Sequence, residues 1–498
     1  MIIGGLDVGT TGCKLTAYTD DGVFCDYSYK EYDVSRTHGE HEIDANVIFE
    51  SVCGVISDVA SRYPDLAAIG VTTFGETFAV LDSEDNVLLP SMLYTDNRGI
   101  DETAELLKVI SEDEMIKISG VKPNQMYSLA KLMWIKKNRP DVYEKTARVL
   151  LMEDFIVYML SGVAQINYSL ASRTMAFDIR NMCWSEKIFK AAGIDSSLMS
   201  KPVPAGTVAG NIRPEYAEKL GVSKSLVILN GAHDQVASAI GAGALEVGMT
   251  VDGTGTVECV VPVFDHIPEN KALYDEGYAV VPFVKDGSYV CYAMSFTGGA
   301  TLKWYRDNFA KYERITAEKE NKNVYAELDA KVSEKPSDLL ILPHFAGAAN
   351  PYMDSESKAA IVGLTLEHTG YDIYKALMEG VTFEIMTNIE HLEGFGIVPK
   401  TLYATGGGAM SEVWLQIKAD ILNRPITSIS SKGEGACGTC MLVAVALGVY
   451  KDLEEAKKKF VTYKKTFTPN PESVAIYQKH FKAYKKIYGA VKEIIEEM

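Results

Sequence analysis

Apolar and polar segments alternate along the first half of the chain in the manner of strands and helices. Two apolar runs, at residues 67–74 and 226–234, end in polar residues and predict buried strands. Residues 130–138 have apolar positions at helical spacing and predict an amphipathic helix. This alternation predicts an α/β fold.

Two similar turns open the two halves of the chain. The first, DVGTT, lies at residues 7–11, and the second, DGTGT, lies at residues 252–256. Each follows one apolar run and precedes another, which predicts a strand, a turn and a second strand. Consecutive backbone N–H groups in glycine-rich turns form a concavity that binds anions. The repeat predicts two similar halves, residues 1–243 and 244–498, with a polyphosphate held between their hairpins. Chance similarity of two common turns is the alternative.

A third glycine-rich turn lies late in the chain. Residues 402–405 predict a strand that leads through Gly406, Gly407 and Gly408 into a helical pattern. Such a turn lets a flat ligand or a phosphate approach the backbone at the N-terminus of the helix. The spacing is neither that of a dinucleotide fingerprint nor that of a P-loop, which argues against both of these classes.

Composition narrows the class of protein. The chain has 498 residues, of which 47% are hydrophobic, so two or three domains with large cores are expected. The net charge of -18 argues against sequence-independent binding of nucleic acid. We find neither a signal peptide nor an apolar run of the roughly 18 residues that a membrane span needs, and we expect a cytoplasmic protein with no membrane contact.

The chain has eight cysteines, which are scattered and predict a reducing compartment. One pair, Cys437 and Cys440, lies in a segment of small residues with a helical pattern. Residues three apart share one face of a helix. No second Cys or His pair has the spacing of a metal site, so core packing is favoured over zinc or redox chemistry.

Six segments carry a resemblance to a known family. They are LDVGTTGCK (6–14), GAHDQVASAIGAG (231–243), VDGTGT (251–256), FTGGATLKWYRD (296–307), GLTLEHTGYDIYKALMEGVTFE (363–384) and TGGGAMSEVWLQIKADIL (405–422). In this order they resemble the motifs of the FGGY carbohydrate kinases, members of the actin/hexokinase/heat-shock ATPase superfamily. The resemblance implies two actin/hexokinase-like, ribonuclease H-like domains that flank a cleft for ATP and a sugar.

The resemblance also implies roles for particular residues. Asp234 is the expected catalytic base, because a carboxylate can orient a sugar hydroxyl and accept its proton. Asp7 and Asp234 are expected near Mg²⁺, which prefers oxygen ligands. The residues expected to bind ATP are Thr10, Thr11, Lys14, Thr254, Gly299, Gly407, Ala409 and Ser411. The residues expected to bind the sugar are Glu76, Asp96, Asp234 and Gln235.

The identity of the substrate is the point on which the motifs disagree. The segment YTDNR (94–98) resembles pentulose kinases and favours a ketopentose such as xylulose or ribulose. Glu76 and Gln235 instead resemble the glycerol-kinase branch, so a kinase of glycerol or another short polyol is the alternative. An ATPase of the actin or chaperone type, which binds a protein partner, is the alternative from another class. A homodimer is an open alternative to a monomer.

Overall fold

The computed structural model describes residues 1–37, 39–430 and 433–497. The strands are β1 (Ile2–Val8), β2 (Gly12–Thr19), β3 (Phe24–Glu31), β4 (Ser35–Thr37), β5 (Glu40–Ile43), β6 (Leu66–Thr73), β7 (Phe78–Leu81), β8 (Ser91–Met92), β9 (Arg148–Leu151), β10 (Gln165–Asn167), β11 (Phe177–Asp178), β12 (Cys183–Trp184), β13 (Lys201–Val203), β14 (Val208–Asn211), β15 (Val227–His233), β16 (Met249–Thr254), β17 (Glu258–Phe264), β18 (Val281–Pro282), β19 (Tyr289–Val290), β20 (Ala293–Ser295), β21 (Leu340–Leu342), β22 (Ala360–Val362), β23 (Thr401–Gly406), β24 (Ile426–Ser430) and β25 (Thr462–Phe467).

Helices connect these strands. They are α1 (Ala45–Arg62), α2 (Ile100–Leu106), α3 (Glu112–Ser119), α4 (Ser128–Asn138), α5 (Pro140–Tyr143), α6 (Met152–Ser161), α7 (Tyr168–Ala171), α8 (Glu186–Ala192), α9 (Pro214–Leu220), α10 (Asp234–Gly241), α11 (Lys271–Asp275), α12 (Gly299–Asn308), α13 (Lys311–Glu320), α14 (Val324–Asp329), α15 (Gly370–Gly394), α16 (Glu412–Leu422), α17 (Glu434–Ala446), α18 (Leu453–Phe460), α19 (Pro471–Tyr484) and α20 (Ile487–Glu496). Short 3₁₀ helices lie at Ser172–Thr174, Ser196–Leu198 and Gly407–Met410. Within the described ranges, none of the helices has the length and apolarity that crossing a membrane requires.

Two large sheets share one topology. The first has the strand order β14-β15-β6-β1-β2-β3, and the second has the order β18-β19-β17-β16-β23-β24-β25, with β20 also paired to β17. In each sheet an antiparallel hairpin, β1–β2 or β16–β17, adjoins two parallel strands, β6 and β15 or β23 and β24. The predicted α/β fold with two similar halves is confirmed.

The predicted elements of the first half occupy the positions that their apolar patterns indicate. The run at 67–74 is β6, the run at 226–234 is β15, and the pattern at 130–138 is α4. Parallel strands present their carboxyl ends at the same edge of a sheet, where open α/β sheets bind ligands. The polar ends of β1 and β15 therefore bring Asp7 and the segment around Asp234 to one edge of the first sheet.

Helices α10 and α17 cross in close contact, and each follows the last parallel strand of its own half. A Cβ on Gly241 would lie 1.9 Å from the Glu434 carbonyl oxygen, and one on Gly438 would lie 2.0 Å from that of Ala237. Any larger residue at either position would force the two helices apart. Glycines at these two positions therefore allow the backbones of the two helices to touch.

Helix α17 also contacts β1 of the first sheet, since a Cβ on Gly5 would lie 2.3 Å from the Ala436 carbonyl oxygen. A helix of the second half thus packs on the sheet of the first. The boundary at residue 243 stays a prediction. Cys437 and Cys440 are both buried and free, as core packing of this helix requires.

Candidate active site

The first glycine-rich hairpin joins β1 to β2. The Gly9 N–H donates to the Gly12 carbonyl over 2.9 Å and closes the turn, and the Tyr32 hydroxyl donates to the Gly9 carbonyl over 2.5 Å. Thr10 is partly exposed and Thr11 is exposed at the tip. Thr10 and Thr11 are therefore accessible at the turn, and their contact with phosphate stays a prediction.

Asp7 and Lys14 lie opposite each other in the register of β1 and β2. Burial and the nearby Asp234 raise the pKa of Asp7 to about 6, with Lys14 opposing the shift and Glu434 adding to it. The Lys14 ammonium lies 2.9 Å from the position that a Cβ on Gly433 would take, which puts this lysine beside the N-terminus of α17. The carboxylates of Asp7 and Asp234 and the ammonium of Lys14 therefore lie close together at this edge of the first sheet.

Asp234 is the first residue of α10, directly after β15. Its Oδ1 accepts the Gln235 N–H over 2.6 Å, and about a third of its side chain is exposed (36%). Burial raises the pKa of Asp234 to about 6, while the Gln235 N–H and Arg173 oppose the shift. The carboxylate is thus charged at neutral pH and still basic enough to accept a proton.

His233 connects Asp234 to the second half of the chain. Its Nε2 lies 3.2 Å from Asp234 Oδ1, and its Nδ1 lies 2.8 Å from the Tyr292 hydroxyl. The two rings are also stacked, with centroids 5.3 Å apart. Burial and Arg173 hold the pKa of His233 far below its usual range, at about 3, so the imidazole is neutral.

Glu76 is buried in the same region and has a positive φ of 63°, a conformation that non-glycine residues rarely adopt. Its Oε1 accepts the Nε–H of Arg173 over 2.6 Å and lies 2.5 Å from one terminal nitrogen of the same guanidinium. The guanidinium lies 5.1 Å from the Tyr127 ring centroid and 5.6 Å from that of Tyr292. Strained residues in the left-handed conformation cluster at functional sites, so the backbone of Glu76 marks it as a candidate site residue.

Asp96 makes all of its hydrogen bonds inside the protein. Its Oδ1 accepts the N–H and the Nε–H of Arg98, each over 2.9 Å. Its Oδ2 accepts from the terminal guanidinium nitrogen of Arg98 over 2.6 Å and from the His41 N–H over 2.7 Å. A carboxylate offers about four lone-pair sites, and these four bonds fill them. Direct sugar contact by Asp96 stays a prediction, and the observed geometry makes it an anchor for the loop that carries Tyr94.

Tyr94, the first residue of the segment YTDNR, lies close to Glu76 and Asp234, although the sequence did not assign it a role. Its ring is partly exposed (39%), and burial together with the charges of Glu76 and Asp234 raises the pKa of its hydroxyl. The Tyr94 hydroxyl is therefore close enough to Glu76 and Asp234 to feel both charges. Gln235 is partly buried, and its side chain makes no hydrogen bond to the described residues, so its predicted sugar contact stays a prediction.

A buried lysine lies beneath the second hairpin and pairs with two carboxylates. Lys418 Nζ, on α16, contacts Thr254 Oγ1 and Asp252 Oδ2 at 2.6 Å each, and Glu258 Oε1 at 3.0 Å. All four side chains are buried. Burial and the adjacent Asp252 raise the pKa of Glu258, while Lys418 opposes that shift. The Thr254 hydroxyl thus faces inward, and Thr256 carries the exposed hydroxyl of this hairpin.

Two further elements pack against the second hairpin. The Gly299 N–H, at the start of α12, donates to the Gly255 carbonyl over 2.8 Å. A Cβ on Gly408 would lie 2.6 Å from Thr254 Cβ, so the turn at Gly407–Met410 approaches the hairpin this closely only because Gly408 has no side chain. Ser411 caps α16 by accepting the Trp414 N–H over 3.0 Å. The residues predicted to bind the nucleotide in the second half, Thr254, Gly299, Gly407, Ala409 and Ser411, therefore lie on three adjoining elements.

The two halves meet at Asp234. Asp7 of the first hairpin and Cys259 of the second hairpin both have pKa values that Asp234 raises further, in addition to the larger effect of their burial. A carboxylate close to both glycine-rich hairpins could orient an acceptor hydroxyl toward a phosphate, and phosphoryl transfer depends on such positioning.

Comparison with known proteins gives full-length matches. The N-terminal domain of the FGGY family of carbohydrate kinases matches residues 2–241, and the C-terminal domain of that family matches residues 255–447. The xylulose kinase of Bacillus subtilis is 26% identical over 98% of this chain and 97% of its own length. The glycerol kinase of Lactococcus lactis is 29% identical over 91% of this chain and 92% of its own. The crystal structure of a ligand-bound xylulose kinase from Lactobacillus acidophilus superposes with a TM-score of 0.88 at 24% identity, covering 99% of this chain and 98% of that one.

The fold and the matches together define a kinase that phosphorylates a carbohydrate. The chain belongs to the FGGY family of carbohydrate kinases.

Proposed function

We propose that this protein transfers the γ-phosphoryl group of ATP to a hydroxyl of a ketopentose of the xylulose or ribulose kind, with Mg²⁺ as cofactor and in the cytoplasm. The observation that carries the proposal is the full-length similarity to xylulose kinases, such as that of Lactococcus lactis, 27% identical over 99% of this chain. The closeness of Asp234 to Asp7 of the first hairpin and Cys259 of the second supports the reaction class. A homodimer stays a prediction.

In the proposed reaction Asp234 orients the acceptor hydroxyl and accepts its proton as the phosphoryl group is transferred. Thr10, Thr11 and Lys14 bind phosphate oxygens from the first half of the chain. The hairpin at Thr254 and the N-terminus of α12 at Gly299 bind them from the second half. Gly407, Ala409 and Ser411 contact the nucleoside, where the absence of large side chains leaves the backbone accessible.

Asp7 and Asp234 fit a magnesium ion that shares its ligands with phosphate. No group of three or more His, Cys, Asp or Glu side chains within the described chain could by itself hold a metal ion. Mg²⁺ usually takes one or two carboxylates and completes its shell with phosphates and water, so two carboxylates suffice. When bound, the ion neutralises negative charge on the transferring phosphoryl group.

Removal of the divalent ion should therefore abolish sugar phosphorylation. With EDTA in excess, we expect ADP release in the presence of ATP and the best sugar to fall to background and to return when Mg²⁺ is added. The affinity of the protein for ATP, measured over the same titration, should be weaker when the ion is absent. Undiminished turnover in EDTA would exclude the metal from the mechanism.

The negative charge of Glu76 affects which sugars the site can bind. A free carboxylate at this position would repel an acidic sugar, and Arg98 is not available to offset it because Arg98 pairs with Asp96 and Glu42. Arg173 neutralises Glu76 instead. An aldonate such as gluconate therefore belongs in the substrate panel beside ketopentoses, ketohexoses, glycerol and other polyols. The gluconokinase of Bacillus subtilis, 26% identical over 89% of this chain, supports its inclusion.

Replacing Glu76 with Gln should lower kcat/KM for the best sugar by roughly 10-fold, the worth of one charge-assisted hydrogen bond. The KM for ATP should stay unchanged, because Glu76 lies in the part of the cleft assigned to the sugar. The measurement is ADP release across the panel for both proteins.

Glu393→Gln is the matched control, since Glu393 also pairs with an arginine, Arg424, but on an element away from the cleft. Its kinetics should equal those of the wild type. Unchanged kinetics in Glu76→Gln would place Glu76 outside the sugar site, and a panel in which glycerol exceeds every ketopentose would overturn the proposed substrate.

A further inference from the structure

We infer that Glu153 is a positioning residue for the transfer reaction: it binds two amide side chains that hold the irregular end of β15, and this end of the strand sets the direction of Asp234. The two amides belong to Asn167 and Asn230. The inference rests on the proposed role of Asp234 as the base. It assigns a function to a fully buried carboxylate in the first turn of α6.

Strand β15 has one extra residue, a β-bulge, just before Asp234. In the parallel pairing of β15 with β6, Asn230 lies opposite Val71. His233 lies opposite Thr73, so three steps along β15 match two steps along β6. An extra residue reverses the side to which the following side chains point, and bulges near active sites re-aim a side chain in this way. The bulge therefore sets the direction in which Asp234 leaves the strand.

Glu153 accepts hydrogen bonds from both amide side chains. Its Oε2 accepts the Nδ2–H of Asn230 over 2.9 Å, and its Oε1 accepts that of Asn167 over 2.7 Å. The Asn167 backbone N–H donates to Oε2 over 3.3 Å. All three side chains are fully buried. Burial raises the pKa of Glu153 to about 7, while Asn230 and Asn167 oppose the shift, so the carboxylate is charged above that pH.

The amide groups of Asn230 and Asn167 are each held in one orientation. Asn230 Oδ1 accepts the Nε2–H of Gln165 over 2.6 Å. Asn167 Oδ1 accepts the Ser169 hydroxyl over 2.5 Å and the Leu170 N–H over 3.1 Å. An amide that turned over would place its oxygen against an oxygen of the carboxylate, and two acceptors repel each other. The NH₂ groups of both amides therefore point toward the carboxylate.

Two connections lead from this carboxylate to Asp234. The first is direct, because Asn230 is the residue at which the bulge begins. In the second, Ser169 donates to Asn167 and accepts the backbone N–H of His233 over 2.9 Å. His233 directly precedes Asp234. Loss of the carboxylate would therefore release both ends of the bulge.

Glu153→Gln tests the inference, because it keeps the shape of the side chain and replaces one acceptor oxygen with a donor. That donor would face the NH₂ group of Asn167 or Asn230, and neither amide can turn over without losing its own bonds. At about pH 8 we expect kcat with the best sugar to fall about 10- to 100-fold, the cost of a small misplacement of a catalytic group. The KM for ATP should stay nearly unchanged. A kcat equal to that of the wild type would overturn the inference.

Asp154→Asn is the matched control. Asp154 is the next residue of α6 and is also buried, but its hydrogen-bonded partner is the Ser200 hydroxyl. This variant should leave kcat unchanged even if thermal unfolding shows lower stability, which separates positioning from a general effect on folding. An equal fall of kcat in both variants would mean that any disturbance of α6 lowers activity, and the inference would be wrong.

A double variant moves the carboxylate within the same arrangement. When Glu153→Gln is combined with Asn167→Asp, the new amide at position 153 can donate to the new carboxylate at position 167. That carboxylate can still accept the Ser169 hydroxyl, and the amide oxygen at 153 can still accept from Asn230. We therefore expect most of the lost kcat to return. A double variant that unfolds at the wild-type temperature but keeps the low kcat of Glu153→Gln would contradict the inference.

A double-mutant cycle tests whether Glu153 acts through Asp234. In an Asp234→Asn background, Glu153→Gln should cause no further fall in kcat, because the group that it positions is already gone. An equal fall in both backgrounds would show that Glu153 acts independently of Asp234 and would refute the inference.

A crystal structure of Glu153→Gln provides a test that needs neither ATP nor sugar. We expect the segment from Asn230 to Asp234 to shift, and the Asp234 carboxylate to leave its position beside the Gln235 N–H. An unshifted segment would overturn the inference. Wild-type turnover in Asp234→Asn would instead remove the proposed base, so a failure of the proposed function can be told apart from a failure of this inference.

Discussion

Asp234→Asn should lower kcat by about 10²- to 10⁴-fold, which is the usual contribution of a positioned acid or base. Asparagine has the shape of aspartate, and its carbonyl oxygen can still accept the Gln235 N–H that Oδ1 accepts now. It lacks the basic oxygen that would take the proton of the sugar hydroxyl. The measurement is kcat at saturating ATP and sugar, with the affinity for ATP measured separately by calorimetry.

The control for this variant is Asp44→Asn. Asp44 likewise accepts a nearby backbone N–H at the start of a helix, α1, where asparagine caps as well as aspartate. Its turnover and stability should match those of the wild type. If Asp234→Asn retained turnover close to the wild-type value, Asp234 would have no part in proton transfer.

Lys418→Met should lower the free energy of unfolding by about 3–5 kcal/mol, the cost of leaving a buried charge without its partner. Lys418 Nζ lies 2.6 Å from Asp252 Oδ2 and 3.0 Å from Glu258 Oε1, and water does not reach these groups. Methionine keeps most of the volume and removes the charge. Thermal and urea unfolding measure the loss, and the KM for ATP should also rise because Thr254 loses its partner beneath the phosphate hairpin.

Two further variants sharpen this prediction. Lys485→Met removes an exposed lysine that pairs with Glu390, and exposed pairs of this kind contribute at most about 1 kcal/mol. Combining Lys418→Met with Asp252→Asn should recover part of the stability, because the unpaired negative charge is then gone. If Lys418→Met unfolded at the same urea concentration as the wild type, the buried group would not depend on the lysine charge.

The sequence predicted the parts of this site that short segments encode. The hairpins at residues 7–11 and 252–256 could be recognised because a glycine-rich turn between two apolar runs is a local pattern. Asp234 could be recognised because it follows a predicted buried strand in a segment that resembles the catalytic motif of the FGGY kinases. The hairpins and Asp234 lie at the ends of strands, where the topology of the two sheets brings them together.

The parts that the sequence did not predict depend on contacts between distant residues. Arg173 lies 97 positions from Glu76, and Lys418 lies 166 positions from Asp252. Neither Arg173 nor Lys418 stands in a sequence pattern that indicates its partner. The inward direction of the Thr254 hydroxyl was equally hidden, because it is set by a lysine on another element.

The central claim is that the protein transfers the γ-phosphoryl group of ATP to a sugar. Phosphorus NMR of the reaction products tests this claim most directly. With ATP, Mg²⁺ and a ketopentose, the account predicts a sugar phosphomonoester and ADP in equal amounts, with almost no inorganic phosphate. An ATPase that acts on a protein partner would instead give ADP and inorganic phosphate at a rate that no sugar changes. That result, across the whole substrate panel, would contradict the account.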